Sequence, residues 1–243
     1  MSFGRRRPSA SAGDRAPREV PKAGRITAVV AQQRDPERVN VSIDGAFAFG
    51  LHVEVMMRHG LAVGVTLDDA MIATLLAEDV FQKAVAAALQ LLSYRTRSEQ
   101  EIAKRLHERG FADDVIAATL ERLRDWHYVD DGDFAARWIE QRQTFRPRAK
   151  RLLKQELRLK GVEAETIDEA IDEAGLDEVG DARRLVERQR AKLASLEPEV
   201  RVRRITGFLA RRGYGYDVIR QALREDLDDI DHLGAEDEDP FDQ

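Results

Sequence analysis

Apolar residues recur in three similar blocks along the second half of the chain. In each block, two apolar residues four positions apart precede a glycine, and the glycines, Gly110, Gly161 and Gly213, are about 51 residues apart. The apolar residues before them are Ile102 and Leu106, Leu153 and Leu157, and Ile205 and Leu209. Recurrence at this period predicts one supersecondary unit that is copied and stacked on its neighbours.

A second shared pattern follows each glycine at matching offsets. Its members are Phe111, Val115, Ile116 and Leu120, then Val162, Thr166, Ile167 and Ile171, then Tyr214, Val218, Ile219 and Leu223. Spacings of three to four residues are typical of amphipathic helices. We therefore predict a mainly α fold with three tandem three-helix repeats that form an elongated or curved body, over residues 80–130, 131–180 and 181–227.

Helix start and stop signals support these units. Ser98 and Glu101 have the spacing of a capping box, in which each side chain bonds the other residue's amide. Gly110 then predicts a left-handed turn at the end of that helix. The second unit is expected to begin with Asp131 and Asp133 as caps.

A period of two replaces the helical period between Ile26 and Leu51. Apolar residues alternate with polar ones, and Asp44-Gly45 signals a turn. The alternating residues are Ile26, Ala28 and Val30, then Val39, Val41 and Ile43, then Phe47 and Phe49. With short helices near residues 53–59 and 68–79, residues 26–79 are predicted to form a small β-hairpin-containing element before the repeats.

The register of this hairpin depends on the length of its loop. A two-residue turn would place Val41 opposite Ala48, and the apolar side chains would not share one face. We therefore expect a three-residue loop, which places Ile43 opposite Phe47 and Val41 opposite Phe49.

Composition narrows the range of chemistry. The 243 residues are 43% hydrophobic and 35% charged, and they contain no cysteine, which excludes disulfides, thiolate metal ligands and a cysteine nucleophile. No apolar run reaches the roughly 18 residues that a membrane span needs, so we expect a cytoplasmic protein. Residues 1–25 are mixed and basic and are expected to be a disordered leader, with a phosphate-attracting arm as the alternative.

The net charge is −6, but charge is distributed unevenly along the chain. Ten acidic residues follow Arg224 without a lysine or arginine, and the rest of the chain is basic. Residues 228–243 are expected to be a disordered acidic tail. The tail is open to three interpretations: a solubilising end, an internal competitor for the basic repeats, or a contact for a basic partner.

Several residues of the first repeat resemble the RecX family of bacterial recombinase regulators. The resemblance covers about residues 84–223, and its most specific parts are Arg95-x-Arg97-Ser98-x-x-Glu101 and the junction from Tyr128 to Ala135. It implies a protein without enzymatic activity or cofactor that binds RecA and its filament on single-stranded DNA. It also implies that the protein mainly inhibits the recombinase in recombination, DNA repair and the SOS response.

Basic residues are the candidate contacts, because they are densest where acidic residues are rare. In the middle repeat, Arg151, Lys154 and Arg158 follow helical steps and share one face, and like charges so placed repel unless an anion approaches. The candidates for partner or DNA binding are Arg95, Arg97, Arg142, Arg146, Arg148, Lys150, Arg151, Lys154, Arg158, Lys160, Arg201, Arg203, Arg204, Arg211 and Arg212. The alternative is a solvated face paired with Glu165, Asp168 and Asp172.

Other candidate side chains are expected to have structural roles and not binding roles. Asp130, Asp131 and Asp133 with nearby His127 suggest a hard-cation site, but helix capping explains them more simply, so no metal is expected. Tyr94 and Phe145 have equivalent offsets from their glycines, which favours packing over base stacking. Trp126 and Trp138 are likewise assigned to packing.

Two other functions compete with recombinase regulation. The first is a stand-alone nucleic-acid-binding repeat protein, and the second is a helical scaffold for some other protein. A monomer is expected in each case. The sign of the regulation, and whether it acts by capping, groove insertion or disassembly of the filament, stay open.

Overall fold

The computed structural model describes residues 21–227. The predictions for residues 1–20 of the leader and for the tail at residues 228–243 lie outside this range. The chain divides after Lys83 into two compact units.

The first unit contains a four-stranded antiparallel sheet in the order β3-β2-β1-β4. The strands are β1 (Gly24–Ala31), β2 (Arg38–Ile43), β3 (Ala46–His52) and β4 (Thr66–Leu67), and helix α1 (Val53–Arg58) follows β3. Since β1 begins at Gly24, the last residues of the predicted leader belong to the sheet.

The predicted three-residue hairpin loop is wrong, although one of its pairings is present. Ile43 pairs with Ala46 across a two-residue turn, and Val41 pairs with Phe49 because the register shifts between Val41 and Ser42. Asp44 and Gly45 both have positive φ, as a tight turn between twisted strands requires. The irregularity restores the apolar face that the looser loop was meant to provide.

A second irregularity breaks the alternation predicted for β1. The register shifts between Ile26 and Ala28, so Val29, and not Val30, lies opposite Val41. Val29 packs against the core, whereas Val30 is 58% exposed. The core beneath the sheet includes fully buried Val41, Leu51 and Leu75.

Helix α2 (Asp69–Tyr94) is continuous, so the predicted separation of one helix ending at Asp79 from another beginning at Val80 is wrong. The remaining helices are α3 (Glu99–Glu108), α4 (Asp113–Asp125), α5 (Asp131–Phe145), α6 (Lys150–Leu159), α7 (Ala164–Glu173), α8 (Glu178–Lys192), α9 (Pro198–Ala210) and α10 (Tyr216–Ala222).

The second unit holds three apolar clusters, and each contains one copy of the repeated pattern. Ile102, Leu106 and Ile116 belong to the first cluster, Leu153, Leu157 and Ile167 to the second, and Ile205, Leu209 and Ile219 to the third. Each three-helix repeat therefore buries its own core, which confirms the predicted fold class.

The repeat glycines adopt the left-handed conformation that their position predicts. The φ angles of Gly110, Gly161 and Gly213 are 85°, 81° and 90°. An L-residue would be strained there because its Cβ approaches the following carbonyl oxygen.

Candidate functional site

Two of the candidate basic residues, Lys160 and Arg212, lie where one repeat meets the next. At the junction of the first and second repeats, the Ser98 hydroxyl donates to the backbone carbonyl of Lys160. The Lys160 ammonium lies 3.0 Å from a carboxylate oxygen of Glu101. A side chain at Gly161 would run into Gln100, so this glycine is needed for close approach as well as for its backbone angle.

The junction of the second and third repeats uses equivalent parts. The Ala149 amide donates to the Arg212 carbonyl at 3.0 Å, and the Arg212 guanidinium donates to the Pro147 carbonyl at 2.9 Å. Ala149 stands where the first repeat has Ser98, and Arg212 stands where the second has Lys160. Both junctions therefore join a helix start of one repeat to the glycine turn of the next.

The predicted capping box is half present. The Ser98 hydroxyl accepts from the Glu101 amide at 3.3 Å, but the Glu101 carboxylate turns towards Arg95 and Lys160. Burial alone would raise the pKa of Glu101, yet hydrogen bonds from Arg95 and Lys160 outweigh it and lower that pKa to about 2. Glu101 is thus an ionised link between the two repeats.

Arg97 has a different environment from Arg95. Its Nε donates to the Leu91 carbonyl at 3.1 Å, and among the described residues no carboxylate forms an ion pair with it. Burial and the charges of Arg95 and Arg105 lower the pKa of Arg97. The guanidinium therefore lies among like charges, where an anion would be stabilised.

In the middle repeat, part of the predicted basic surface is neutralised internally. Arg142 and Arg148 share the Glu156 carboxylate, and Lys154 pairs with Asp168 at 2.6 Å. Of the acids proposed as internal partners, Asp168 has this role. Bonding to Lys154 lowers the pKa of Asp168, and the charge of Arg158 adds to the effect.

Other cations of the middle repeat have no carboxylate partner within residues 21–227. They are Arg146, Lys150, Arg151 and Arg158. Arg151 and Arg158 are exposed and lie seven residues apart on α6, which puts them on one helix face, two turns or about 10 Å apart along the axis. Lys150 is half-buried, so Arg151 and Arg158 are the cations in this group on α6 that are most accessible to an external anion.

The candidate basic residues of the third repeat also divide into some with an internal partner and some without one. Arg201 lies 4.0 Å from buried Asp226, and Arg212 packs over the Phe208 ring at 4.6 Å. Arg203, Arg204 and Arg211 are exposed and lack a carboxylate partner in the described part of the chain.

The prediction that Asp131 and Asp133 cap the first helix of the second repeat is wrong, because both lie inside α5 and the cap is Asp130. Asp130 caps α5 by accepting from the Asp133 amide at 3.0 Å. Asp131 instead accepts from the Glu99 amide at 2.9 Å, and so caps α3 of the first repeat. Burial is the main cause that raises the pKa of Asp131. Within residues 21–227, no group of three or more histidines and carboxylates is placed to hold a metal ion.

The aromatic residues depart most from the sequence analysis. Trp138 is packed as predicted, with Arg142 at 4.0 Å and Lys160 at 4.4 Å from its ring centroid. Trp126, however, is 46% exposed, and Tyr94 and Phe145 are each 77% exposed. The prediction that these three side chains pack internally is wrong.

None of the described helices combines the length and apolar character that a membrane span requires.

Three consecutive three-helix domains that follow a small sheet along the chain define a class of tandem helical repeat protein. Family models describe the same arrangement: the RecX N-terminal domain matches residues 24–68, and the first, second and third RecX three-helix domains match residues 84–123, 130–171 and 177–223. The chain belongs to the RecX family of regulatory proteins.

Individual relatives support this membership. The regulatory protein RecX of Bacillus licheniformis is 34% identical over 82% of this chain and 76% of its own length. That of Bacillus subtilis is 32% identical over 87% of this chain and 79% of its own. The Streptomyces coelicolor protein of the same name is 37% identical over 65% of this chain and 87% of its own.

Solved structures agree with the fold. A crystal structure of regulatory protein RecX, 26% identical, covers 81% of this chain and 96% of its own with a TM-score of 0.66. The crystal structure of RecX from Lactobacillus salivarius, 21% identical, is similar in fold, with a TM-score of 0.55 over 61% of this chain and 97% of its own.

Proposed function

We propose that this chain binds RecA and its filament on single-stranded DNA in the cytoplasm, and mainly inhibits recombinase activity. It does so as a monomer, by contact and without catalysis. Family membership supports a regulatory role. The observation that carries the contact mode is the exposed pair Arg151 and Arg158 on α6, which have no carboxylate partner among the described residues.

Unpaired guanidinium groups on one helix face suit an extended anionic polymer. Arg151 and Arg158 lie two helical turns apart, about 10 Å along the axis, so both can meet successive phosphates or carboxylates of one polymer. Lys154 lies between them in sequence but is already paired with Asp168. We therefore assign the contact to Arg151 and Arg158 ahead of Lys154.

The test is RecA-catalysed strand exchange and DNA-dependent ATP hydrolysis with added full-length chain. Inhibition is expected at well below one chain per RecA subunit, because one bound chain acts on a filament of many subunits. Activity that stays unchanged up to equal stoichiometry would remove the regulatory role.

The contact surface is tested with a double charge reversal, Arg151→Glu with Arg158→Glu. We expect inhibition and filament binding to weaken at least tenfold, while helical content by circular dichroism stays unchanged. The matched control is Arg183→Glu with Arg188→Glu on α8, where both arginines are also exposed. Equal loss in both variants would show a general charge effect and not a contact at α6.

Salt dependence separates this function from stand-alone nucleic-acid binding. Binding through phosphates alone weakens steeply as salt rises, with a slope set by the number of contacts. Recognition of a protein filament should keep a component that resists salt. Binding to filaments that is as salt-sensitive as binding to bare single-stranded DNA would favour the stand-alone function.

A further inference from the structure

Tyr94 and Phe145 occupy equivalent places in the first two repeats. Tyr94 is the last residue of α2 and Phe145 is the last residue of α5, and each lies 16 residues before its repeat glycine. Both side chains are 77% exposed. The corresponding residue of the third repeat is Glu197, so the exposed ring belongs to two repeats and not to the fold as such.

These rings add nothing to the cores of their repeats. Neither belongs to the apolar clusters of the second unit. A single exposed apolar side chain needs no explanation. A large aromatic residue exposed to the same extent at the same helix end in two repeats indicates a ring held for an external ligand.

Each ring is followed directly by two arginines separated by one residue. Tyr94 precedes Arg95 and Arg97, and Phe145 precedes Arg146 and Arg148. In the second repeat, burial and the charges of Arg142, Arg212 and Arg146 lower the pKa of Arg148. Arg148 is thus close to three other guanidinium groups, and of these only that of Arg142 pairs with the same Glu156 carboxylate among the described residues.

One arginine of each pair keeps its charge available. Arg146 is exposed and has no carboxylate partner in the described region, and Arg97 bonds only a backbone carbonyl there. Arg97 also lines an open cavity of about 650 Å³, in which the cations Arg95, Lys104, Arg105 and Lys160 outnumber the carboxylates of Glu101, Glu108 and Asp113. This cavity gives an anion access to the guanidinium from solvent.

A planar ring beside an available cation matches the two parts of a nucleotide. Bases stack on aromatic rings whatever their sequence, and phosphates bind guanidinium groups. A protein partner would pair with the arginines and pack on the rings as well, but the same ring-and-arginine set in two repeats favours a polymer that itself repeats a base and a phosphate. We propose that Tyr94 and Phe145 are stacking platforms for bases of single-stranded nucleic acid, with Arg97 and Arg146 binding the adjoining phosphates.

This inference deepens the proposed function and rests on its single-stranded DNA contact. The experiment measures binding of the full-length chain to a fluorescent oligo(dT) strand by anisotropy. Tyr94→Ala and Phe145→Ala should each weaken binding about thirtyfold, the middle of the range for one stacked base. Tyr94→Phe and Phe145→Tyr should restore it, because either ring presents a π face.

The matched control is Tyr216→Ala. Tyr216 is 76% exposed but lies on α10 without a following pair of arginines, and its loss should leave affinity unchanged. Arg146→Gln should lower the slope of log affinity against log salt by about one, whereas the ring variants should leave that slope unchanged.

An abasic strand of the same length isolates the stacking step. The wild-type chain should bind it about as weakly as the double variant Tyr94→Ala with Phe145→Ala binds oligo(dT), and that double variant should lose nothing further on the abasic strand. Equal affinity of wild type for abasic and normal strands, or no measurable affinity for single strands, would overturn the inference.

The ring variants also separate this inference from the proposed function. If they bind oligo(dT) normally but lose affinity for RecA filaments, the rings contact protein, and the stacking assignment is wrong while the regulatory function stands. If wild-type chain binds oligo(dT) through the rings but has no effect on RecA, the regulatory proposal fails and the stacking assignment stands.

Discussion

Glu101 shows how much one side chain contributes to the joining of two repeats. Its carboxylate accepts from Arg95 of its own repeat and from Lys160, 59 residues further along the chain. The side chain is 20% exposed, so these bonds are partly shielded from water. Removing the charge would leave both cations without their shared partner.

We expect Glu101→Gln to lower the free energy of unfolding by about 2 kcal/mol at pH 7, the size of a hydrogen bond to a charged group. The pKa of Glu101 is about 2 in the folded chain against 4.5 ordinarily, so its contribution is complete above 4.5 and is lost as pH falls towards 2. Urea unfolding of both proteins between pH 7 and pH 2 should therefore show a converging difference.

The control is Glu108→Gln on the same helix. Glu108 is 44% exposed and pairs only with Arg105 three residues before it, an arrangement worth less than about 1 kcal/mol. An equal loss of unfolding free energy in the two variants would show that the Glu101 link between repeats stabilises the fold no more than an exposed ion pair does.

At the scale of helices and turns, the three repeat glycines form a natural comparison. All have positive φ, but their surroundings differ: a Cβ on Gly213 would lie 2.8 Å from the Leu152 Cβ, whereas Gly110 has nothing within 4 Å. The backbone requirement is shared by all three. Close contact with a preceding repeat is found at Gly161 and Gly213.

We expect Gly110→Ala to cost about 1 to 2 kcal/mol, the penalty for a left-handed L-residue. Gly213→Ala should cost about 2 kcal/mol more, because overpacking at the junction adds to the same penalty. The measurement is the free energy of urea unfolding followed by circular dichroism. An equal loss of unfolding free energy at the two positions would mean that the junction accommodates the added methyl group without overpacking.

The sequence predicts the repeated elements well, because their determinants are local. Gly161 and the apolar positions around it recur at a fixed period, and that is enough to define helices and their buried faces. The hairpin loop was predicted wrongly because a register shift beside Ser42, invisible to a period of two, restores the apolar face across a tighter turn.

The candidate site was less predictable, since charge pairing depends on contacts distant in sequence. Lys160 faces Glu101, and Asp131 caps a helix that begins 32 residues earlier. Hydrophobicity alone predicts that Phe145 is buried. In the structure it is the last residue of α5, and its side chain is exposed. Whether Arg151 and Arg158 bind RecA or DNA stays a prediction.

At the scale of the whole molecule, the net charge of −6 says little about any one surface. The acidic run after Arg224 begins inside the folded region, where Asp226 is 2% exposed and accepts from Arg190, with Arg201 also near. This carboxylate holds the third repeat together, and a truncation meant to test the tail should begin after it.

We expect Asp226→Asn to lower the free energy of unfolding by about 3 kcal/mol, because Arg190 and the Arg201 Nε would lose the charge of a carboxylate that is 2% exposed. Glu225→Gln is the control, since Glu225 is 84% exposed and should change stability by less than about 1 kcal/mol. Thermal unfolding of the two variants would reveal a similar loss if burial were unimportant.

The two junctions between repeats have a consequence for how such molecules change over evolutionary time. Because each joins a helix start to the backbone carbonyl before a glycine, Lys160 in one case and Arg212 in the other, the same joint accepts different side chains. Duplication or loss of one whole segment of about 51 residues would again bring a helix start to an equivalent backbone carbonyl, whether the donor is a hydroxyl as at Ser98 or an amide as at Ala149. A lineage can therefore lengthen or shorten this protein without inventing a new interface.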